Sequence, residues 1–135
     1  MSIIQAGQVI YGNIPFANGN ITSYRRYYVV FKVSSNYIYL LNCSSIEGKE
    51  HKLLLPSNEK LDNCIPPLTK DTMIKMDEIY AIPLTCESLF QIKSPSLSIE
   101  TFKKVKSDLK NFINKKHVDN PSIMKYTYEQ ISNCN

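Results

Sequence analysis

Residues 26–33 read RYYVVFKV, and this segment constrains the fold more than any other. Tyr27, Val29, Phe31 and Val33 alternate with Arg26, Tyr28, Val30 and Lys32. That period of two is the signature of a strand with one wholly apolar face. Ser34-Ser35-Asn36 is turn chemistry, and a second strand-like run, Tyr37 to Cys43, follows it. The two runs are predicted to pair as an antiparallel hairpin. A chain organised around such a hairpin has to cover its apolar face with other segments.

The segments before residue 94 are also strand-like. Gln8 to Ile14 is β-branched and aromatic, and Pro15 closes it. Ala17-Asn18-Gly19-Asn20 is a turn sequence. Ser44 to Glu50 reads as a loop, His51 to Leu55 as a strand and residues 56–70 as loop again. Thr72 to Met76, Glu78 to Ile82 and Leu89 to Lys93 read as further strands. The period then changes. Ser98 suits a helix N-cap, and Ile99, Phe102, Val105, Leu109, Phe112 and Ile113 recur at helical spacing to about Lys116. Short strands followed by one amphipathic helix predict a mainly β fold, a small twisted barrel with a C-terminal α-helix packed on it.

The chain has 135 residues, which suits a single domain, residues 1–116 forming the body and residues 117–135 an unassigned extension of it. With 43% hydrophobic and 21% charged residues, it is neither a disordered tail nor a coiled coil. No apolar run approaches the ~20 residues that span a bilayer, and the N-terminus lacks a basic signal-peptide region. The expectation is a cytoplasmic protein with no membrane partner. Cys43, Cys64, Cys86 and Cys134 are widely spaced with no CxxC pair. They read as reduced thiols rather than a disulfide framework or zinc site. The net charge is +4, and residues 98–135 carry most of it. That excess is compatible with a nucleic-acid partner.

Nucleotide-binding glycine loops, HExxH and GxSxG are all absent from the sequence. His51 and His117 are not spaced as metal ligands. Any hydrolase built here would work without a metal, a cofactor or a Ser-His-Asp triad. The residues that could carry chemistry are few. Arg25 and Arg26 enter the strongest strand; their plainest reading is a solvated charge pair, and their functional reading is a forked site for a phosphodiester. Ser44 and Ser45 leave the partner strand, where a hydroxyl could donate to a phosphate oxygen. Lys49, His51 and Lys52 could line a phosphate groove, and an imidazole there could also act as a general acid or base. Asp77 and Glu78 could serve acid–base work or pair with the arginines.

Taken in order, these segments resemble the MazF/PemK family of toxin endoribonucleases. GQVIYGNIPF at 7–16 looks like the family's opening strand and loop. RRYYVVF at 25–31 looks like its Arg-Pro-led strand, and YLLNCSS at 39–45 like the strand ending at Thr or Ser. LTKDTMIKMDEIYAIP at 68–83 is similar to the stretch ending in its acidic-Gln-Ile element, and the helix at 98–114 to its closing helix. The collinear order carries the likeness. The resemblance implies an SH3-like barrel and metal-independent, sequence-selective cleavage of single-stranded RNA. The ribose 2′-OH would attack the adjacent phosphate, leaving a cyclic phosphate and a 5′-hydroxyl. It also implies a homodimer and a cognate antitoxin protein that blocks the RNA groove.

By the same resemblance, Arg26 would stabilise the phosphorane and Ser44 or Ser45 would orient a phosphate oxygen. Arg25, Lys49, His51, Lys52, Asp77 and Glu78 would line the substrate path, and Asn18, Gly19 and Asn20 would lie in the loop covering it. The sequence departs from the family at Tyr27, where proline is usual, at the serine in place of threonine, and at Glu78, where Gln is common. A second expectation, from a different class, is a non-catalytic small β-barrel that binds nucleic acid or a protein.

Overall fold

Strand β2 (Arg26–Val33) lies inside one mixed sheet, in a computed structural model that describes residues 4–15, 26–46, 48, 50–54, 58–61, 64–65, 72–115 and 123–135. The other strands are β1 (Gln8–Gly12), β3 (Tyr37–Ser45), β4 (Asn58–Leu61), β5 (Cys64–Ile65), β6 (Thr72–Pro83), β7 (Gln91–Leu97) and β8 (Ile123–Lys125). Their order is β4-β6-β3-β2-β1-β7-β5, and β8 lies on β6. Neighbours run antiparallel except β6 and β8, which are parallel. The protein is thus mainly β, with helices α1 (Ile99–Lys115) and α2 (Tyr128–Ser132) following the strands.

The predicted hairpin forms between β2 and β3, from Tyr28↔Asn42 to Val33↔Ile38. Its turn is held by Ser34, whose Oγ accepts from the Tyr37 N–H at 3.0 Å while its own N–H donates to the Tyr37 carbonyl at 2.9 Å. The prediction of one apolar face on β2 needs correction. Tyr28, Val29 and Val30 are all buried, so both faces are covered. Val33 also changes sides, because the register shifts between Val30 and Lys32. Phe31 is the extra residue of a bulge, which reverses the alternation beyond it. Val33 therefore packs with Ile38 and Leu40, while Tyr27 and Phe31 pack with Val29 on the other face.

Helix α1 covers the Val29 face with Val105, Leu109 and half-buried Phe102 and Phe112. Ser98 caps it, its Oγ accepting from the Thr101 N–H at 3.1 Å. Ile99, placed on the buried stripe by sequence, is 77% exposed. At ~100° per residue it stands off the arc that carries Val105 and Leu109. The opposite face packs Ile10, Tyr28, Val30, Leu40, Tyr80 and Ile82 beneath Ile4, Phe90, Tyr126 and Ile131.

Several element boundaries differ from expectation. His51 to Leu55, read as a strand, falls in a 3-10 helix at Glu50–Leu54 with no buried residue. The segment lacks alternating β-branched residues, and Gly48 turns the chain just before it at φ +75°. Residues 56–70, read as loop, include β4 and β5. Thr72 to Ile82, read as two strands, is one strand with a bulge. The last strand of this region begins at Gln91 because a 3-10 turn, Leu84–Leu89, precedes it. The first strand stops at Gly12, two residues early, because Asn13 leaves the ladder to bond the C-terminal segment.

That segment is built into the sheet. Asn13 N–H donates to Asn135 Oδ1 at 2.9 Å, and Asn135 Nδ2 returns a bond to the Asn13 carbonyl at 2.9 Å. The Tyr126 hydroxyl donates to the Pro15 carbonyl at 2.7 Å. Helix α2 starts in a reciprocal cap between Thr127 and Gln130.

Two outcomes test this packing. A Cβ at Gly12 would press into the Phe90 ring and stand 3.1 Å from Asn135 Oδ1. Gly12→Ala is expected to lower the unfolding free energy by about 1–3 kcal/mol in urea titration. Burial pushes the Cys86 thiol up to about 11. Above the ordinary thiol value the unfolded chain ionises while the folded thiol keeps its proton, so stability is full below about pH 9 and falls towards pH 11. Thermal melts across that range should show the fall in wild type and a smaller one in Cys86→Ala.

Candidate functional site

The rows of the sheet decide which candidates meet. Gly12 pairs with Arg26 across β1 and β2. On the other side of β2, the ladder to β3 begins at Tyr28↔Asn42. Continuing that register outward by two residues brings Arg26 to the position across from Ser44. Ser44 itself pairs with Met73 on β6, and Ser45 pairs with Thr72. Arg26 and the two serines therefore share one end of the central hairpin.

The next row inward is Ile10–Tyr28–Asn42–Lys75–Asn58, crossing five strands. Residues directly opposite in neighbouring strands share a face. Arg26 and Tyr28, two apart on one strand, share it as well. This is the face away from α1. Half-buried Arg26 thus sits beside a buried phenol and a buried amide. Tyr28 is 2% exposed and is held edge-on by Tyr80 and Phe90, with ring centroids at 6.1 and 6.4 Å. Burial pushes its phenol well above the usual tyrosine value, and the Arg26 charge and a hydrogen bond with the Ile14 backbone only partly oppose this. Tyr28 is therefore a neutral hydrogen-bonding group at physiological pH, not a base.

The acidic pair lies close by along the backbone. Between β3 and β6 the register jumps from Leu41↔Ile79 to Asn42↔Lys75. Met76, Asp77 and Glu78 form the bulge that this leaves on β6. Along the other edge of β6, β4 pairs up to Lys75 and β8 pairs from Ile79. The bulge thus lies between paired stretches on both edges, one step from the Asn42 row.

Other candidates lie apart. His51 is exposed and Lys52 half-buried on the 3-10 helix, whose Lys52 carbonyl accepts from Asn58 Nδ2 at 3.0 Å. That joins them to β4, and two strands separate β4 from β2, roughly 14 Å at the usual strand spacing. They flank the far edge rather than Arg26. Arg25, Asn18, Gly19, Asn20 and Lys49 lie outside the described residues. Tyr28, Asn42, Lys75 and Asn58 were not singled out from sequence. Asn42 had a visible signal, since it is the one amide inside the apolar run 37–43.

A guanidinium held on a strand beside hydroxyl and amide groups can bind and stabilise an anion. Among the described residues no three His, Cys, Asp or Glu side chains cluster as a metal site. Among the described residues Cys43, Cys86 and Cys134 form no disulfide. No described helix is long and apolar enough to cross a membrane. No family model matches the chain, and no curated protein matches it.

Asn42 is 8% exposed, and its Oδ1 is buried without a hydrogen-bond partner among the described residues. An unmade acceptor of this kind costs about 1–3 kcal/mol. Asn42→Val, which removes it and suits a strand, is expected to raise stability by ~1 kcal/mol in urea titration. A loss of stability would show that the amide makes a favourable bond that valine cannot replace.

Proposed function

We propose that this protein is a metal-independent, sequence-selective endoribonuclease acting on single-stranded RNA, the toxin of a toxin–antitoxin pair. The reading includes an SH3-like barrel of the MazF/PemK kind, a homodimer, a cytoplasmic setting and a cognate antitoxin. The observation that carries it is the β2–β3 register, which runs to Tyr28↔Asn42 and, continued outward by two residues, would set Arg26 across from Ser44, with Asp77 and Glu78 on the adjoining bulge of β6. The collinear resemblance supplies the chemistry, and the mainly β content of the chain is compatible with it.

In this mechanism the 2′-oxygen forms a bond to phosphorus as its proton leaves. The bond from phosphorus to the 5′-oxygen breaks, and that oxygen takes up a proton. Arg26 stabilises the charge that accumulates on the phosphorane oxygens. The role assigned to Arg26 is electrostatic stabilisation rather than proton donation. Ser44 or Ser45 donates to a phosphate oxygen and fixes the attack geometry.

The test is incubation of the purified protein with a long single-stranded RNA in EDTA. Wild type should give discrete fragments with 5′-hydroxyl ends. Arg26→Ala should cut about a hundredfold more slowly or worse, with an unchanged circular dichroism spectrum. Of Ser44→Ala and Ser45→Ala, one should lose activity and the other keep it. Intact RNA with folded, antitoxin-free wild type would overturn the reading in favour of a binding module. Undiminished cutting by Arg26→Ala would remove Arg26 from the site.

A further inference from the structure

Helix α1 presents a second surface on the side of the sheet away from Arg26. Its inner arc, Val105 and Leu109 with Phe102 and Phe112, is in the core. At ~100° per residue, Lys103, Lys106 and Lys110 fall within an arc of about 60° on one flank. All three are exposed. Glu100 and Asp108 lie off that arc, so the flank is basic rather than mixed. At ~1.5 Å rise per residue the three ammonium groups are spread along roughly 10 Å of helix.

A groove opens at the head of this flank. It has a volume of about 320 Å³ and is lined by Gln5, Gln8, Ser96, Ile99 and Phe102 among others. Gln8 Oε1 accepts from the Gln5 N–H at 2.8 Å, which orders one rim. Phe102 forms an apolar wall, and Lys106 Nζ stands 5.2 Å from its ring centroid, joining groove to flank. Ile99, 77% exposed, forms the outer lip.

We infer that this groove and lysine flank form an exosite for single-stranded RNA, the lysines taking successive phosphates and the groove one base. This rests in part on the ribonuclease reading, which supplies the polyanion. Charge complementarity selects a polyanion. The groove selects among polyanions, because amides and a hydroxyl beside an apolar wall match the edge and face of an unpaired base. An anionic membrane would instead need a broad apolar face, and the apolar face of α1 is turned into the core. Because α1 and Arg26 occupy opposite sides of the sheet, the exosite holds RNA at a distance from the cut. It should favour long substrates over short ones.

The test uses a fluorescent 2′-O-methyl oligouridylate of about thirty nucleotides, which lacks the attacking hydroxyl, bound to the full chain over a range of salt. The Lys103→Gln/Lys106→Gln/Lys110→Gln variant should flatten the slope of log affinity against log salt by about 2, at ~0.7 per phosphate contact on a single strand. Its melting temperature and its cutting of a short oligonucleotide should match wild type. An unchanged slope overturns the exosite, as does a defect confined to phosphatidylserine vesicles. If wild type cuts RNA and the slope is unchanged, the exosite falls and the ribonuclease reading stands. If nothing is cut and the slope still flattens, the exosite stands and the ribonuclease reading falls.

Discussion

The ladder between β2 and β3 is the constraint from which the other placements follow. Both strands are buried on two faces, so a slip of one residue would exchange two different sets of side chains at once. Tyr28, Val30, Ile38 and Leu40 would leave a face packed by Phe90 and Ile131, while Val29 and Leu41 would leave the face packed by α1. A strand exposed on one side has a single face to enforce its register. Here two cores enforce the same one, and that register leads through Tyr28↔Asn42 to the end of the hairpin that holds both Arg26 and Ser44.

Odd-numbered bulges reconcile this with the rest of the sheet. One extra residue at Phe31 reverses the alternation at the turn end of β2. Three extra residues, Met76 to Glu78, reverse it in the middle of β6. As a result Ile74 and Ile79 lie in one core although they are five apart, while Tyr80 and Ile82 lie in the other. The bulge on β6 also divides that strand's outer edge, leaving β4 to pair with one part and β8 with the other. It thus lets a single twelve-residue strand pair with β3 along one edge and with both β4 and β8 along the other.

These bulges mark the limit of what the sequence made legible. The hairpin was readable because Arg26 to Val33 alternates and Ser34-Ser35-Asn36 turns, and α1 because Phe102, Val105, Leu109 and Phe112 recur at helical spacing. A bulge leaves no such trace, since Phe31 and Met76 are as acceptable in a ladder as beside one. The acidic pair stands out in the sequence by its charge, whereas its position on a bulge follows only from the pairing of β6 with β3. The His51 segment misled because clustered leucines suggest a strand, whereas Leu54 is 86% exposed. Contacts between Asn13 and Asn135, 122 residues apart, have no local signal at all. Of the candidate site, Arg26 and the serine pair were readable as polar ends of apolar strands, whereas the row through Tyr28, Asn42 and Lys75 required the register.

The C-terminal segment gives the Arg26 end of the sheet its stiffness. Gly12, the ladder partner of Arg26, lies against Phe90 and Asn135. The next residue is tied to Asn135 through both its N–H and its carbonyl, and its side chain donates to the Cys134 carbonyl at 3.0 Å. Two residues further, the Pro15 carbonyl takes the Tyr126 hydroxyl. The exit of β1 is thus fixed at three successive points by a segment that is itself anchored by the pairing of β8 with β6 and by buried Ile131. A guanidinium stabilises a developing charge only to the extent that it need not move to do so. On the proposed reading, the C-terminal segment would contribute to that immobility by holding the strand that pairs with Arg26.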